Sequence, residues 1–248
     1  MYPILFKIGS LTFYTHGILA VLGIVICSLV VNSLAKKEKL DRTFLFDNIV
    51  WAVLVGIIGA RITYFILYRD QFSSFMEIFL LQNGGMVSYG GFIPGAITFG
   101  LLLKSQKQSI LKWFDLMSIG FAGGLFLGRI GNLMAGEYAG KLSSSRFAID
   151  GILPINLFEG IVVAVIAIIL YFVYLKIRTE KYKGGLLIWL FVFLYGISRF
   201  IIDFWRDETI LIWYLNLSQV TSLILALIAL VYLMRRLPTR KGNTNVTV

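Results

Sequence analysis

The chain is poor in what most soluble proteins are built from. Charged residues make up only 15% of its 248 positions, against about 25% in an ordinary soluble domain. Acidic residues are scarcest, 13 against 23 Lys and Arg. One Cys and one His exclude an internal disulfide and a metal site built from several such residues. Only four Pro leave room for long, rarely broken helices. What is plentiful is apolar: 58% of residues are hydrophobic, and mean hydropathy is +0.83. Disorder, a basic nucleic-acid-binding tail protein and almost every soluble enzyme fold are excluded. An all-α, polytopic integral membrane protein of one domain, residues 1–248, remains.

A helix needs about 20 mostly apolar residues to cross the hydrocarbon. Runs of that kind lie at residues 15–35, 44–68, 87–103, 113–134, 155–175, 186–204 and 218–234, which predicts seven transmembrane helices. The basic residues set the topology. Loops at 36–42, 104–112, 176–183 and 235–241 hold 15 of the Lys and Arg, and the alternate loops hold five. The positive-inside rule then puts the N-terminus outside and the C-terminus in the cytoplasm. It also accounts for the net charge of +10 without a nucleic-acid partner. The first run is too long and starts too late for a cleaved signal peptide. No lipidation motif or transporter-like repeat is evident. Segments 72–81 and 209–217 read as helices lying in the outer interface. Residues 242–248 read as a disordered tail.

Three arginines fall inside spans, and buried charge in a membrane is costly. At about 1.5 Å per residue, Arg61, Arg129 and Arg199 all lie in the outer half. His16, Tyr89, Asn132, Glu137, Glu159, Asp203 and Arg206 are expected at the same level. Arg199, Asp203 and Arg206 share one helical stripe, and Arg129 and Asn132 share another. Tyr64 and Tyr68 lie on the face of Arg61. Interhelical salt bridges are one reading of these charges. A cationic cavity for an anionic lipid headgroup is the other, since the guanidinium fork suits phosphate. Gly120, Gly124 and Gly128 fit close helix packing. Gly131, Gly136 and Gly140, near the polar end, fit close approach of backbone to a ligand. Cys27 reads as a small buried apolar residue.

The run Leu127-Gly-Arg-Ile-Gly-Asn-Leu-Met-Ala-Gly-Glu-Tyr-Ala-Gly140 resembles the signature of the prolipoprotein diacylglyceryl transferases. So do Gly59-Ala-Arg-Ile-Thr-Tyr64, Gly84-Gly85-Met86 with Gly90-Gly91-Phe92-Ile93, and Tyr195-Gly-Ile-Ser-Arg-Phe200 through Asp203 and Arg206. The resemblance covers nearly the whole chain, in order. It implies transfer of the diacylglyceryl group of phosphatidylglycerol to the lipobox Cys thiol of a preprolipoprotein. A thioether forms, glycerol phosphate leaves, and no cofactor or metal takes part. It places the protein in a bacterial plasma membrane, with the active site facing the outer leaflet. It makes Arg129 and Arg199 catalytic. Arg61, Asn132, Glu137, Gly140, Glu159, Asp203 and Arg206 become substrate-binding residues.

The chain also departs from the family pattern. The His that usually precedes the Gly-Gly of the third span is Tyr89 here. The first span carries Thr15-His16-Gly17 where the family has Tyr before Gly. His and Tyr have thus changed places. The run before the fifth span, Leu153-Pro-Ile-Asn-Leu-Phe-Glu159, loses a His and a phenol but keeps the Glu. Asp203 stands for the more usual Glu, and the outer loop at 138–154 is short. Imidazole, with an ordinary pKa of about 6.5, accepts a thiol proton more readily than a neutral phenol. His16 is therefore expected to be the base, and Tyr89 a hydrogen-bond donor to substrate. Two other readings share the phosphate site: a diverged paralogue with another acceptor, and a non-catalytic lipid-binding or lipid-moving protein.

Overall fold

The computed structural model describes residues 2–9, 11–80, 84–178, 184–207 and 214–236. The element order is β1 (Ile4–Ile8), β2 (Leu11–Tyr14), α1 (Thr15–Lys37), α2 (Arg42–Leu67), α3 (Ser88–Ser105), α4 (Ile110–Ala135), β3 (Ala139–Leu142), β4 (Ile152–Pro154), α5 (Ile155–Ile177), α6 (Leu186–Ile202) and α7 (Leu217–Arg236). Among the described residues, six helices are long and apolar enough to cross a membrane. They correspond to the expected spans except the third. α3 is a helix of 18 residues, but Gly, Ser, Tyr and Pro94 in its first half dilute its apolar character. Ile58, Ile168 and Leu227 are each more than half exposed. Such outward apolar faces suit a lipid surround.

The chain divides into two compact units, Asn32–Trp113 and the combination of Met1–Val31 with Phe114–Val248. In the smaller unit, α2 starts at Asp41, whose carboxylate accepts the Thr43 N–H at 3.1 Å. The Thr43 hydroxyl, which also donates to that carboxylate, holds its pKa below the usual Asp value. α2 and α3 pack where both lack side chains: a Cβ on Gly91 would stand 3.0 Å from the Gly56 carbonyl oxygen. Where an interfacial helix is expected at 72–81, the described residues hold one short 3₁₀ turn, Phe75–Phe79, and another, Arg69–Gln71, precedes the segment. Arg61 donates to the carbonyls of Glu77, Ile78 and Leu80, and the Glu77 carbonyl also accepts the Leu80 N–H at 3.1 Å, an i to i+3 bond of the 3₁₀ type.

In the larger unit, Gly120 and Gly124 let α4 lie against α1, and a Cβ on Gly120 would stand 2.8 Å from the Cys27 carbonyl oxygen. Cys27 is buried in that seam. Gly128 departs from the expectation: a Cβ there would meet nothing within 4 Å. Two hairpins that hydropathy does not signal complete the unit, β1 with β2 and β3 with β4. The first is tied to the end of α4 by the Tyr2 N–H donating to the Met134 carbonyl at 2.9 Å. α7 opens with a reciprocal cap. The Gln219 side chain accepts the Asn216 N–H at 3.0 Å, and Asn216 accepts the Gln219 N–H at 2.7 Å. Most of the segment expected at 209–217, and the tail at 242–248, lie outside the described residues.

Candidate active site

The larger unit gathers most of the polar residues singled out in the sequence. α5 begins directly after Pro154, and Asn156 and Glu159 occupy one face of its first two turns. α4 delivers Arg129 and Asn132 near its C-terminal end. α6 delivers Arg199 and runs into a 3₁₀ turn, Asp203–Trp205, which presents Asp203 and leads to Arg206.

Glu159 is the hub. It is 3% exposed and lies 3.0 Å from Nε of Arg129. It accepts Nη2 of Arg206 at 2.5 Å and also Nη1 of Arg199. Asp203 sits opposite, 3.3 Å from Nε of Arg199 and 3.0 Å from Nε of Arg206. The helical stripe expected for Arg199, Asp203 and Arg206 is therefore one continuous set of ion pairs. Among the described residues, three guanidinium groups face two carboxylates in these ion pairs. In a low-dielectric setting such charges act on one another far more strongly than they would in water.

Arg129 is the most exposed of the three arginines, at 17%. Its Nη1 donates to Oδ1 of Asn156 at 3.3 Å. Among the described residues, its Nη2 has no hydrogen-bond partner. Asn156 also donates to the Glu137 carbonyl and so couples Arg129 to the turn after α4. Asn132, one turn beyond Arg129, is half-buried. Arg206 is held by β3, where Gly140 bridges to it and the Asp207 N–H donates to Ala139 at 3.2 Å.

His16 opens α1 and stands 3.9 Å from the Glu137 carboxylate, with both side chains about half exposed. The Tyr14 ring stacks on it, centroids 5.8 Å apart. Gly131 and Gly140 do permit close approach, but to the protein itself. A Cβ at Gly131 would stand 3.1 Å from Cα of His16, and one at Gly140 would stand 2.9 Å from the Ile155 side chain. At Gly136, which takes φ +86°, the chain turns after α4.

The other two site residues belong to the smaller unit. Tyr89 lies in the first turn of α3 and is 38% exposed. Arg61 is buried, and its five N–H donors meet five backbone carbonyls. Nε reaches Ile78 at 3.0 Å, Nη2 reaches Glu77 at 2.7 Å and Leu80 at 3.0 Å, and Nη1 reaches Gly85 at 3.0 Å and also Gly84. The Phe72 ring lies 5.2 Å from the guanidinium carbon. A guanidinium has five N–H donors in all, so this one is fully committed to the segment that joins α2 to α3.

Two further buried polar residues carry weaker sequence signals, Asn156 at the cluster and Asp115 at the other end of α6. Asn156 is three residues before Glu159, and that polar i, i+3 pair at the head of an apolar helix marks a shared face. Asp115 is a buried carboxylate in α4 that caps α6. It accepts the Gly185 N–H at 2.5 Å and the Ile188 N–H at 2.7 Å. Its signal is a lone acid in an apolar run, with Gly184-Gly185 ahead of the sixth span.

A family model described as prolipoprotein diacylglyceryl transferase matches residues 3–235. The phosphatidylglycerol–prolipoprotein diacylglyceryl transferase of Finegoldia magna is 31% identical over 223 residues, covering 88% of this chain and 89% of its own length. The enzyme of the same name from the Wolbachia pipientis strain wMel is 30% identical over 266 residues, covering 99% and 98%. One from Clostridium perfringens is 29% identical over 253 residues, covering 95% and 96%. With the family model spanning nearly its whole length, the chain is a transferase belonging to the prolipoprotein diacylglyceryl transferase family.

Proposed function

We propose that the protein transfers the diacylglyceryl group of phosphatidylglycerol to the lipobox Cys thiol of a preprolipoprotein. The observation that carries this reading is the buried cluster of Arg129, Arg199 and Arg206 around Glu159 and Asp203, with Arg129 on its more open side. The planar guanidinium fork of Arg129 suits the oxygens of a phosphodiester. The thiolate sulfur attacks the glyceryl carbon that bears the phosphate. A C–S bond forms, the C–O bond breaks, and the electron pair leaves on glycerol phosphate. Arg129 and Arg199 stabilise the charge that develops on the departing phosphate. Asn132, Glu137, Gly140 and Arg206 shape the headgroup site around them.

A free thiol, with an ordinary pKa of about 8.5, must first lose its proton. His16 accepts it, and the Glu137 carboxylate 3.9 Å away stabilises the resulting imidazolium. Tyr89 contributes a phenolic donor to substrate. Arg61 contributes through the α2–α3 segment that it holds. In this reading α3 is the seventh span, the N-terminus is outside, the C-terminus is cytoplasmic, and the site faces the outer leaflet of a bacterial plasma membrane.

The test uses purified protein, phosphatidylglycerol and a lipobox peptide, read by mass spectrometry. The expected result is a diacylglyceryl mass gain that requires Cys rather than Ser in the peptide, is lost in Arg129→Ala and is accompanied by glycerol phosphate. A folded protein that binds the lipid without making product would point to another acceptor or to lipid binding alone. Full turnover by His16→Ala would remove His16 as the base.

A further inference from the structure

α6 meets α7 at two points that bracket Arg199 in sequence. Just before it, Gly196 lies so close to α7 that a Cβ there would stand 2.9 Å from the Ser222 carbonyl oxygen and 3.1 Å from the Ala226 side chain. Just after it, the Phe200 carbonyl accepts Nε2 of Gln219 at 3.3 Å. Gln219 is 2% exposed. The glycine allows the two helices to approach, and the glutamine ties them together next to Arg199.

Carbonyls in the last turn of a helix lack an N–H partner within it, and α6 ends at Ile202. The Asp203 N–H turns back to the carbonyls of Arg199 and Ile201. Gln219 reaches across from α7 to the Phe200 carbonyl between them. Farther along, Nζ of Lys141 donates to the Phe204 carbonyl at 2.9 Å. The backbone that carries Arg199, Asp203 and Arg206 is thus held by α7 at one end and by β3 at the other. The ion pairs fix these side chains to one another and to Glu159. The two carbonyl bonds fix the chain that bears them.

We propose that Gln219 is a positioning residue for the transfer step: its amide N–H sets where the end of α6 presents Arg199. The inference rests on the transferase reading, in which Arg199 stabilises charge that develops on the departing phosphate. A group with that task is sensitive to place, and misplacement by about 1 Å can cost about a hundredfold in rate. An interaction made mainly in the transition state shows in kcat and not in KM. Gln219 has a second task, and the two are separable. Its Oε1 accepts the Asn216 N–H and caps α7, and Oδ1 of Asn216 accepts the Gln219 N–H in return. Among these bonds, the one from Nε2 alone reaches α6.

The test compares Gln219→Met with Asn216→Ala in the purified protein, using phosphatidylglycerol and a lipobox peptide. Each removes one bond of the reciprocal cap, and only Gln219→Met also frees the Phe200 carbonyl. Both are expected to melt at a lower temperature. Gln219→Met is expected to lose about tenfold in kcat with KM unchanged, and Asn216→Ala to keep the wild-type kcat. Gln219→Glu, which keeps the cap acceptor and lacks the donor, is expected to show the same fall in kcat. Wild-type kcat in the Gln219 variants, or an equal fall in Asn216→Ala, overturns the proposal. A wild-type protein that makes no product overturns the transferase reading instead. Positioning is then decided by amide hydrogen exchange across residues 199–206. Faster exchange in Gln219→Met than in Asn216→Ala supports it, and equal exchange overturns it.

Discussion

The two units of the protein bury arginine in opposite ways. In the smaller unit, Arg61 spends all five donors on neutral carbonyls from Glu77 to Gly85. Among the described residues it has no carboxylate partner. In the larger unit, Arg129, Arg199 and Arg206 meet the ionised groups Glu159 and Asp203. The first arrangement organises a loop, because each carbonyl is fixed by the same planar fork. The second gathers charges of both signs in one place. Residues that look alike in hydropathy and depth therefore differ in what holds them. One is tied to its own loop, and the others are tied together through carboxylates.

The comparison can be broken most severely at Glu159. Glu159→Gln takes from Arg129 its carboxylate partner and leaves Arg199 and Arg206 to Asp203, and loss of one partner of a buried ion pair costs about 3–5 kcal/mol. Thermal unfolding in detergent should show a large drop. An unchanged melting temperature would mean that Glu159 is not the hub.

Next in size is Arg129→Ala, in which an anion-stabilising fork is lost from the more open side of the cluster. Turnover should fall by about 10²–10³-fold, with a smaller effect on the melting temperature than Glu159→Gln. Arg129→Lys should recover only part of the rate, since a point charge cannot reproduce two parallel hydrogen bonds.

Arg61→Lys addresses the other side of the comparison. Three donors replace five, leaving carbonyls unpaired at a cost of about 1–3 kcal/mol. Backbone amide exchange across residues 74–87 should accelerate, with KM for phosphatidylglycerol unchanged. A raised KM with unchanged exchange would make Arg61 a phosphate ligand and erase the contrast.

The smallest expected effect is at Asn156. Asn156→Asp keeps an acceptor for Arg129 but adds a negative charge that competes with a phosphate for the same guanidinium. KM for phosphatidylglycerol should rise by roughly tenfold, equivalent to about 1.4 kcal/mol. An unchanged KM would show that this guanidinium is not what draws the lipid.

Much of this was legible from composition and spacing. Runs of about 20 apolar residues mark the spans because hydrocarbon leaves a backbone no partner but itself. The i, i+4 and i+7 spacing of Arg199, Asp203 and Arg206 put them on one stripe because a helix repeats every 3.6 residues. Other features were not legible. Arg61 and Arg129 occupy similar depths in their spans, yet the first is claimed by carbonyls up to 24 residues away in sequence. Gly131 and Gly140 looked like room for a ligand and are filled by His16 and β4. The 72–81 segment has the apolar content of an interfacial helix but yields its carbonyls to Arg61.

The sequence alone determined the membrane character and the sites of six of the seven expected spans. These follow from local composition and period, which need no knowledge of neighbours. Only the tertiary structure decided which arginine pairs with carboxylate and which with carbonyl, that Asn156 couples Arg129 to Glu137, and that Asp115 caps α6. Those outcomes depend on which chain segments come within about 3 Å of one another, and hydrogen bonding is too short-ranged for composition to report it.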